Sequence, residues 1–490
     1  MEVSSRALQA ALSPALSGDV EQSALYLRRR LLNIAALGFA DFTALALSST
    51  LSAYMAGWVT NVSVSPTWFV LLLPGWYGGA ILLNLLPSWG IGPVEELRRL
   101  TILVSLTYLI TLAASAFASP FGTGEYALAG YVSIAVSYFV SAAMIPLSRI
   151  GAKKLLIHRE QWGVPAVIYG NGDSVGPIVR ILGAERGLGY TPIGIYDDTR
   201  ERGATCAGLK VLGSTSSTDP ALAPVAVLVM TNLGRARSID LLEGPLASYR
   251  TVLVIPDLLD APSLWVKPRD INGLLGLEIR CNLCSPGARI LKRTFDVCAV
   301  VLTLPLWAPL CMVVAAMIWL EDRSTPFFYQ NRIGRRRTSF SACKFRTMYP
   351  NADVILQQAL ENDPELKKKW ELDFKLPNDP RVTRIGKFLR KFSLDELPQL
   401  INVLRGEMSL VGPRPLPAYH HDVLDQRVQT LRERVTPGIT GLWQVSGRSD
   451  SGSSGMEVYD PYYVRNWSPW LDAVILFRTA GAVLSSAGAY

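Results

Sequence analysis

Long apolar segments near the N-terminus constrain the fold of this chain more than any other feature. Four of them, separated by short polar loops, cover residues 31–58, 68–86, 100–118 and 127–147. An α-helix of about 20 apolar residues crosses the hydrocarbon core of a bilayer, and each segment is long enough to do so. The mean hydropathy of the 490-residue chain is positive, which is typical of membrane proteins. The segments predict a four-helix transmembrane bundle over residues 31–150.

The basic residues around these segments predict the orientation of the bundle, because positive charges favour cytoplasmic loops. They precede the first segment, separate the second from the third and follow the fourth, at Arg28–Arg30, Arg98–Arg99 and Arg149–Lys154. This alternation places both ends of the bundle in the cytoplasm, with residues 1–30 as a cytoplasmic N-terminal segment.

Asp41 lies inside the first segment, where a charged side chain must find a partner. An acid within a membrane segment is a candidate for function, for example in a proton relay. We prefer a satisfied packing or interface role, because no second acid or base lies in these segments to form such a relay.

A region with strand-like runs follows the bundle. The runs cover residues 165–169, 192–196, 209–212, 225–230 and 252–255. They alternate with apolar-periodic segments, which predicts a doubly wound parallel sheet over residues 163–278. Gly170, Gly172 and Gly176 follow the first run with GxGxxxG spacing, which departs from the full dinucleotide-binding pattern. A bound nucleotide and a tight strand–helix turn without a ligand both explain these glycines, and we favour the tight turn.

A third region, residues 286–490, opens with another apolar stretch, residues 297–320, which is long enough to span a bilayer. Lys292 and Arg293 precede this stretch and Arg323 follows it, so both ends carry the charge of cytoplasmic loops. A full crossing is therefore disfavoured. Lys292 and Arg293 are candidates to hold a lipid phosphate, and anchoring at the membrane interface explains them equally well.

Two prolines interrupt the same stretch. Pro305 and Pro309 each remove a backbone donor, which favours a break in a helix. We predict a re-entrant helix–break–helix over residues 292–320 that enters one leaflet and returns. A straight span is the alternative, and it would place all later residues outside the cell.

The C-terminal stretch, residues 467–477, is mostly apolar and contains Asp472 as its one charge. It predicts a helix that either lies on the membrane or packs in the core, with equal support for the two.

Two adjacent carboxylates, Asp395 and Glu396, lie in the segment Ser393–Leu400. Ser393 followed by Glu396 is a capping-box pattern, which predicts a helix that begins here. Asp395 then lies in the first turn, where the helix dipole favours the ionised form that a carboxylate nucleophile needs. Helix capping alone also explains the pair, and for an isolated pair it is the commoner reason.

Basic and glycine-rich motifs surround the acidic pair in a defined order. They are FFYQNRIGRRR at 327–337, KFRTM at 344–348, DPRVTRIG at 379–386, SLVGPRP at 409–415 and PGITGLWQVSGR at 437–448. With these motifs, the region from about Lys292 resembles the catalytic domain of the bacterial polyprenyl-phosphate hexose-1-phosphate transferases. The whole chain resembles the long form within this monotopic phosphoglycosyl transferase superfamily.

The resemblance implies an enzyme that transfers hexose-1-phosphate from a UDP-sugar to undecaprenyl phosphate and releases UMP through an aspartyl-phosphosugar intermediate. This reaction is the first membrane step in making a surface polysaccharide, whether exopolysaccharide, capsule or O-antigen. Galactose, glucose and an N-acetylated sugar all fit the sequence. The resemblance further implies a Rossmann-like α/β domain, a homodimer, a location in the bacterial inner membrane and an active site on the cytoplasmic face.

The resemblance also identifies site residues, with Asp395 as nucleophile and Glu396 as its catalytic partner. Positions that match the family's substrate-binding motifs are Lys344, Arg390, Arg414, Gln444, Arg448 and Asp460. Gln444 and Arg448 fall where the family carries a motif near the nucleotide. After Pro415 the chain departs from some relatives, which carry a Glu where Tyr419–His421 stand here.

The residue types also suit phosphate chemistry without reference to the family. Arginine forks pair with phosphate oxygens, whereas lysine acts as a point charge. The phosphate-binding candidates are Arg346, Arg390 and Arg414, with Lys344 as a point charge. The full predicted substrate-binding set adds Arg381, Pro415, Gln444, Arg448 and Asp460. Surface salt bridges would explain any single arginine, but not a whole series beside two acids and a membrane stretch.

A divalent cation fits the same chemistry. A diphosphate repels a carboxylate nucleophile, and a hard cation such as Mg²⁺ offsets that repulsion. Asp395 or Glu396 would supply its protein oxygen, with water and phosphate as the other ligands.

Other function classes have less support. The chain has no GxxxxGK[ST] loop, and its single CxxC pair (Cys281 and Cys284) and three histidines do not make a zinc site. Its net charge of +8 is explained by interface anchors and phosphate binders, without nucleic acid. The alternatives are a membrane-tethered nucleotide-sugar oxidoreductase or epimerase, for which the α/β region lacks a Tyr-x-x-x-Lys base, and a non-enzymatic scaffold that regulates polysaccharide assembly.

Overall fold

A computed structural model describes residues 2–118, 124–220, 222–231, 233–256, 267–271, 274–278, 283, 286–362, 379–446 and 452–484. The chain divides into two compact units, Met1–Ala261 and Pro262–Tyr490. Each unit is described separately. Cys281, Cys284 and Arg448 lie outside the described residues.

The first unit begins with helical segments that pack together as a bundle. They are α1 (Glu2–Thr60), a 3₁₀ helix (Pro66–Leu72), α2 (Leu73–Leu82), α3 (Pro93–Ala118) and α4 (Glu125–His158). Each α-helix contributes to one buried core, which includes Leu45, Trp76, Val104 and Ile145. Within the described residues, four helices are long and apolar enough to cross a membrane, namely Tyr26–Thr60, Pro93–Ala116, Glu125–His158 and Pro286–Asp322.

The second predicted membrane segment, residues 68–86, is not one regular α-helix, so the prediction of four such helices before residue 150 is wrong here. It consists of the 3₁₀ helix and the ten-residue α2. Pro66 and Pro74 stand at the starts of these two pieces, where the missing backbone donor costs least. The two pieces together rise about 29 Å, which is close to the thickness of the hydrocarbon core.

Asp41 is fully buried and paired, as its predicted packing role requires. Its carboxylate accepts hydrogen bonds from Arg149 Nε at 2.7 Å, Arg149 Nη2 at 2.6 Å and Trp76 Nε1 at 3.1 Å. Glu96 extends the network, because it accepts from Lys153 Nζ at 2.6 Å and lies 3.4 Å from Arg149 Nη1. A buried charge needs such partners. Sequence reasoning missed them because they come from the polar ends of α3 and α4.

The rest of the first unit is built on a six-stranded sheet. Its strands are β1 (Val164–Tyr169), β2 (Tyr190–Tyr196), β3 (Thr205–Cys206), β4 (Leu209–Gly213), β5 (Val225–Val229) and β6 (Thr251–Ile255), in the spatial order β3-β4-β2-β1-β5-β6. Only the β3–β4 pair is antiparallel among these described strands. The helices α5 (Val175–Ala184) and α6 (Arg235–Glu243) follow β1 and β5. The predicted α/β class is confirmed, and the Rossmann-like comparison stays a prediction.

The turn after β1 is closed by Asp197, which follows β2. The Asp197 carboxylate accepts hydrogen bonds from Gly172 N at 3.1 Å and from the backbone nitrogen and hydroxyl of Thr199, each at 2.7 Å. Protein groups therefore satisfy both carboxylate oxygens, as a tight strand–helix turn requires.

The second unit combines short helices with three two-stranded sheets among its described residues. Its strands are β7 (Lys267–Ile271), β8 (Leu274–Glu278), β9 (Phe327–Ile333), β10 (Ser339–Phe345), β11 (Ser409–Val411) and β12 (Gly438–Thr440). Its helices are α7 (Pro286–Asp322), α8 (Ala352–Asn362), α9 (Arg384–Lys391), α10 (Gln399–Arg405), α11 (Ala418–His421), α12 (Gln426–Glu433), α13 (Leu442–Ser446), α14 (Gly452–Asn466) and α15 (Pro469–Leu484). The pairs β7–β8 and β9–β10 are antiparallel, and β11–β12 is parallel.

The helix α7 continues through Pro305 and Pro309, so the predicted break in its hydrogen-bonded structure is wrong. A proline removes one donor and crowds the preceding turn, which bends a helix without ending it where other donors reach the exposed carbonyls. Trp307 provides one such donor, because its indole Nε1 bonds to the carbonyl of Val300 at 3.0 Å. A continuous helix does not decide its path through the membrane, so the re-entrant path stays a prediction.

Both ends of α7 are bonded to other parts of the second unit, while one side of its middle is exposed. At the N-terminal end, Arg293 donates to the carbonyls of Val403 and Leu404. At the C-terminal end, Asp322 accepts a hydrogen bond from Arg346 Nη2 at 2.6 Å. The exposed apolar residues between them include Val301, Leu302, Leu306, Met312, Val313 and Leu320. Polar contacts therefore fix both ends of α7, and the exposed residues between these ends form an uncovered apolar surface.

One face of the C-terminal helix α15 packs in the core of the second unit, with Leu471, Asp472 and Ile475 buried, while Phe477 on the same helix is exposed. Asp472 is 1% exposed. Its carboxylate accepts hydrogen bonds from Lys292 Nζ at 2.8 Å, the Tyr463 hydroxyl at 2.8 Å and Trp467 Nε1 at 3.0 Å. The one charge of this stretch thus faces the protein interior and is satisfied there.

Candidate active site

The acidic pair lies in a short 3₁₀ turn, Leu394–Glu396, and α10 begins only at Gln399. Ser393 has a left-handed backbone conformation, with φ of 54°, and its side chain makes no capping bond. The predicted capping box is therefore wrong. Glu396 does not reach back to Ser393, because its carboxylate is bonded by cations from distant parts of the chain.

Glu396 is held by two basic side chains. Its Oε1 accepts hydrogen bonds from Lys344 Nζ of β10 at 2.7 Å and from Arg414 Nη2 at 3.1 Å. Burial on its own raises the pKa of Glu396, but the charges of Arg414 and Lys344 outweigh burial and bring the pKa to about 2. Glu396 is therefore ionised throughout the physiological pH range.

The carboxylate of Asp395 differs from that of Glu396 in having no bonded partner among the described side chains. Among the described residues, none forms an ion pair or a side-chain hydrogen bond with it. Burial and the adjacent negative charge of Glu396 raise the pKa of Asp395, and Lys344 and Arg390 offset this only in part. The expectation that a helix dipole favours ionisation of Asp395 is wrong in direction, because the residue is buried in a single turn beside another acid.

Arg390, at the end of α9, extends the basic side of the site. Its Nε donates to the hydroxyl of Thr347 at 3.0 Å, while no described residue bonds its terminal nitrogens. Burial lowers the pKa of Arg390, and the charges of Asp395 and Asp379 act in the opposite direction. Arg390 is thus a cation in the field of Asp395 with donors left for a ligand.

Close backbone contacts place the loop that carries Arg414. The strands β11 and β12 meet at Gly412 and Gly438, where Gly412 N bonds to Thr440 O at 2.8 Å and Gly438 N to Pro413 O at 2.9 Å. A Cβ at Gly438 would lie 2.0 Å from Gly412 N. Only glycine allows this approach, which explains the GPRP and PGITG motifs structurally.

Asp460 lies behind the same loop and is 3% exposed. It forms a buried ion pair with Arg432 Nη1, and Arg432 Nη2 donates to the carbonyl of Arg414. The sequence predicts that Asp460 contacts substrate. In the structure its carboxylate faces Arg432, so it supports the Arg414 loop from the protein side.

Two further predicted arginines are paired with acids. Arg346 Nη2 bonds to Asp322 at 2.6 Å and ties β10 to the end of α7. Arg381 forms a forked contact with Asp379, with distances of 2.6 to 3.0 Å. The field of Arg381 lowers the pKa of Arg390, after the larger effect of burial, which places the two arginines on the same side of the site.

Lys292 and Arg293, which the sequence offers equally as lipid-phosphate ligands or interface anchors, are both bonded to protein groups in the structure. Lys292 Nζ bonds to Asp472 at 2.8 Å and lies 3.6 Å from Asp296. Arg293 bonds to the last carbonyls of α10, including that of Leu404 at 2.8 Å. Buried charges and free helix-end carbonyls both need partners, and these contacts provide them.

Arg332 belongs to the site, and sequence reasoning did not select it. Its Nη1 donates to the carbonyl of Pro415 at 3.3 Å, and it lines a narrow cavity with Lys344, Glu396 and Arg414. Burial and the charge of Arg414 lower the pKa of Arg332. The sequence signal that could have identified Arg332 was its position in the basic motif at 327–337.

A cleft of about 150 Å³ opens beside Glu396. Its apolar lining consists of Leu397, Leu400, Ile439, Val445, Ala482 and Val483. Leu400 shares a packed cluster with Trp307 of α7, and Leu397 packs against a cluster that contains Val314 of α7. Two of the residues that line the cleft beside Glu396 therefore also belong to clusters that include α7.

Gln444 also lines this cleft and is 5% exposed. Its Nε2 donates to the carbonyl of Ile439 at 3.3 Å, whereas its buried Oε1 has no hydrogen-bond donor among the described residues. An unsatisfied buried acceptor is costly, so a ligand with a hydrogen-bond donor would gain from contact with it.

A carboxylate that no described side chain bonds lies next in sequence to a second carboxylate held by two cations, and an apolar cleft opens beside the second one. Residues 287–486 match the family described as bacterial sugar transferase. With the relatives described next, this match shows that the chain belongs to the bacterial sugar transferase family and is an enzyme.

Three relatives illustrate the similarity. A UDP-galactose-lipid carrier transferase of Erwinia amylovora is 35% identical over 406 residues, 81% of this chain and 82% of that protein. An undecaprenyl-phosphate galactose phosphotransferase of Salmonella typhimurium is 34% identical over 367 residues, 71% of this chain and 74% of that protein. The exopolysaccharide production protein ExoY of Rhizobium meliloti is 45% identical over 200 residues, 41% of this chain and 88% of that protein.

Proposed function

We propose that this protein transfers a hexose-1-phosphate from a UDP-sugar to undecaprenyl phosphate, releases UMP, and does so through an aspartyl phosphosugar on Asp395. The observation that carries the proposal is the contrast within the acidic pair. Lys344 and Arg414 hold the Glu396 carboxylate and compensate its negative charge. No described side chain bonds the Asp395 carboxylate. A carboxylate must be free in this way to act as a nucleophile.

In the first step, an oxygen of the Asp395 carboxylate attacks the phosphorus that carries the sugar. The bond between this phosphorus and the oxygen that bridges to UMP breaks, and the electron pair leaves with UMP. The product is an acyl phosphate between Asp395 and the phosphosugar. The raised pKa of Asp395 makes its carboxylate more basic than an ordinary aspartate, which favours bond formation once the residue is ionised.

In the second step, a phosphate oxygen of the acceptor lipid attacks the same phosphorus. The acyl-phosphate bond to Asp395 breaks, the carboxylate is regenerated, and the sugar is left on a lipid-linked diphosphate. No proton is consumed overall, because one phosphate oxygen replaces another.

The basic side chains have distinct tasks in this scheme. Arg390, whose terminal nitrogens have no described partner, is placed to bind phosphate oxygens at the reacting centre. Lys344 and Arg414 hold Glu396 and add positive charge where the diphosphate must lie. Arg332 supports this arrangement through the carbonyl of Pro415.

The acidic pair fits a magnesium ion. Mg²⁺ in enzymes is commonly held by one or two carboxylates together with water and substrate phosphates. Asp395 is unpaired, and both cations bond to Oε1 of Glu396, which leaves its Oε2 without a bond from any described residue. When bound, the ion would neutralise charge on the diphosphate. No group of three or more metal-binding side chains occurs among the described residues, so a site completed by substrate fits better than a closed one.

The acceptor is assigned to the apolar side of the site. The cleft beside Glu396 and the uncovered surface of α7 suit a long isoprenoid chain. Because both ends of α7 are bonded to one compact unit, a re-entrant path that keeps the unit on one face of the membrane is supported over a crossing. We place the active site on the cytoplasmic face of a bacterial inner membrane, in a homodimer that initiates a surface polysaccharide.

The decisive experiment separates the two steps in the purified full-length protein in lipid, with Mg²⁺ and a panel of UDP-galactose, UDP-glucose and N-acetylated UDP-sugars. Without acceptor, we expect one UDP-sugar to release UMP stoichiometrically and to leave one phosphosugar on Asp395, detected by intact-protein and peptide mass spectrometry. With undecaprenyl phosphate, UMP release becomes catalytic. Asp395→Asn abolishes both, whereas Asp353→Asn, which changes an exposed acid of the same unit, leaves both intact. Turnover by folded Asp395→Asn would disprove the nucleophile assignment.

A further inference from the structure

A second pocket, of about 160 Å³, lies at the N-terminal end of α7. Four basic side chains line it, namely Arg289, Lys292, Arg293 and Arg335. It shares no lining residue with the cleft beside Glu396. This concentration of positive charge is separate from the chemistry proposed for Asp395.

Only two of the four basic residues are explained by the protein itself. Lys292 is bonded to Asp472, and Arg293 to the carbonyls of α10. The guanidinium groups of Arg289 and Arg335 form no ion pair or hydrogen bond with any described residue. The Nε atom of Arg335 is moreover fully buried without an acceptor. A buried donor of this kind is costly unless a ligand supplies the acceptor.

The two unpaired arginines also repel each other. Burial lowers the pKa of Arg335, and the positive charges of Arg289 and then Arg336 lower it further. The one acid that lines the pocket, Asp296, does not relieve this repulsion, because it faces Lys292 and accepts from the Ser409 hydroxyl at 2.7 Å. The charges of Arg289 and Arg335 therefore have no counter-ion among the described residues.

We propose that Arg289 and Arg335 bind the phosphate group of a membrane phospholipid at this pocket. Arginine forks match phosphate oxygens, and a helix N-terminus favours an anion. The neighbouring residues identify the source of the phosphate, since Ile290 and Leu291 on the same helix are 68% and 53% exposed. These apolar side chains and the uncovered middle of α7 suit acyl chains, whereas a free phosphate would gain nothing from them.

The test uses delipidated full-length protein in a maltoside detergent and isothermal titration calorimetry with three probes. They are dihexanoyl phosphatidic acid below its micelle concentration, dihexanoylglycerol without phosphate, and inorganic phosphate. We expect phosphatidic acid to bind and the other two to bind at least about tenfold more weakly. Arg289→Gln and Arg335→Gln should each weaken phosphatidic acid binding by about tenfold or more, because each removes a charged fork. Arg427→Gln removes an exposed arginine of the same unit and should change nothing.

Each outcome bears on the proposal. Equal binding of inorganic phosphate and phosphatidic acid would overturn the lipid assignment in favour of a free anion. Equal binding of dihexanoylglycerol would show that the phosphate is irrelevant. Unchanged phosphatidic acid binding in both variants would show that the pocket is not the site. Misfolding is not expected to obscure the result, because neither guanidinium is bonded to a described residue, and unliganded melting temperatures check this directly.

Discussion

Substituting Lys344 with Met tests whether electrostatic control of the acidic pair sets the pH range of the enzyme. Arg414 and Lys344 bring the pKa of Glu396 from 4.5 to about 2, which corresponds to about 3 kcal/mol in favour of the ionised form. The side chain of Glu396 is only 14% exposed, so solvent screening removes little of this. Burial opposes the two cations, so their combined effect exceeds the net shift, and removing Lys344 should raise the pKa of Glu396 by about one unit or more.

The same substitution acts on Asp395, because the charge of Lys344 lowers its already raised pKa. Removing that charge raises the pKa of Asp395 further, so a smaller fraction of the nucleophile is ionised at any pH below neutrality. The acid limb of kcat/KM for UMP release should therefore move to higher pH. Compared with the wild type, the variant should lose more activity at pH values below the acid limb than on the plateau above it.

The assay measures initial UMP release between pH 5 and 9 for the wild type, Lys344→Met and Lys344→Arg. Lys344→Arg keeps the charge and should keep the wild-type limb, even if its plateau is lower. Lys387→Met, at an exposed position of α9, controls for loss of one positive charge elsewhere. A uniform loss of rate with an unmoved limb in Lys344→Met would refute the electrostatic argument and leave Lys344 only a direct phosphate contact.

Three further substitutions test parts of the scaffold. Asp460→Asn should lower the melting temperature, because it leaves Arg432 as an uncompensated buried charge at a cost of about 3–5 kcal/mol. It should also raise KM for the UDP-sugar more than it lowers the single-turnover rate. An unchanged melting curve would contradict this. Gly438→Ala should impair UMP release by displacing the Arg414 loop, since the added carbon would lie 2.0 Å from a backbone atom, and wild-type activity would show that the loop adapts. Asp41→Asn should destabilise the first unit by about 3–5 kcal/mol through Arg149 without altering the site, which melting of the lipid-embedded protein can check.

Local patterns predicted the strands of the α/β region closely. The run 165–169 corresponds to β1 (Val164–Tyr169), and 252–255 corresponds to β6 (Thr251–Ile255). These runs are short, rich in branched residues and bounded by glycine or charge, so the local signal and the tertiary environment agree. The prediction of one helix over residues 68–86 was wrong because Pro66 and Pro74 stand at the starts of two separate helical pieces. Hydropathy alone does not register such prolines.

The candidate site was predicted in composition but not in arrangement. Asp395 and Glu396 are visible as an acidic pair, yet their opposite pKa shifts depend on which cations reach them. Lys344 and Arg414 are 52 and 18 residues away from Glu396, and no local rule gives such contacts. For the same reason sequence reasoning predicted a capping role for Glu396 and a direct substrate role for Asp460, whose partner Arg432 is 28 residues distant.

The uncovered apolar residues of α7 have a consequence for how the proposed enzyme meets its acceptor. An acceptor confined to a leaflet approaches by lateral diffusion in two dimensions, so its effective concentration is a surface density and not a molarity. Adding inert lipid would then dilute the acceptor and slow turnover even when the amounts of enzyme and acceptor per millilitre are unchanged. The water-soluble donor would obey ordinary bulk kinetics in the same assay, so one active site would follow two different concentration scales.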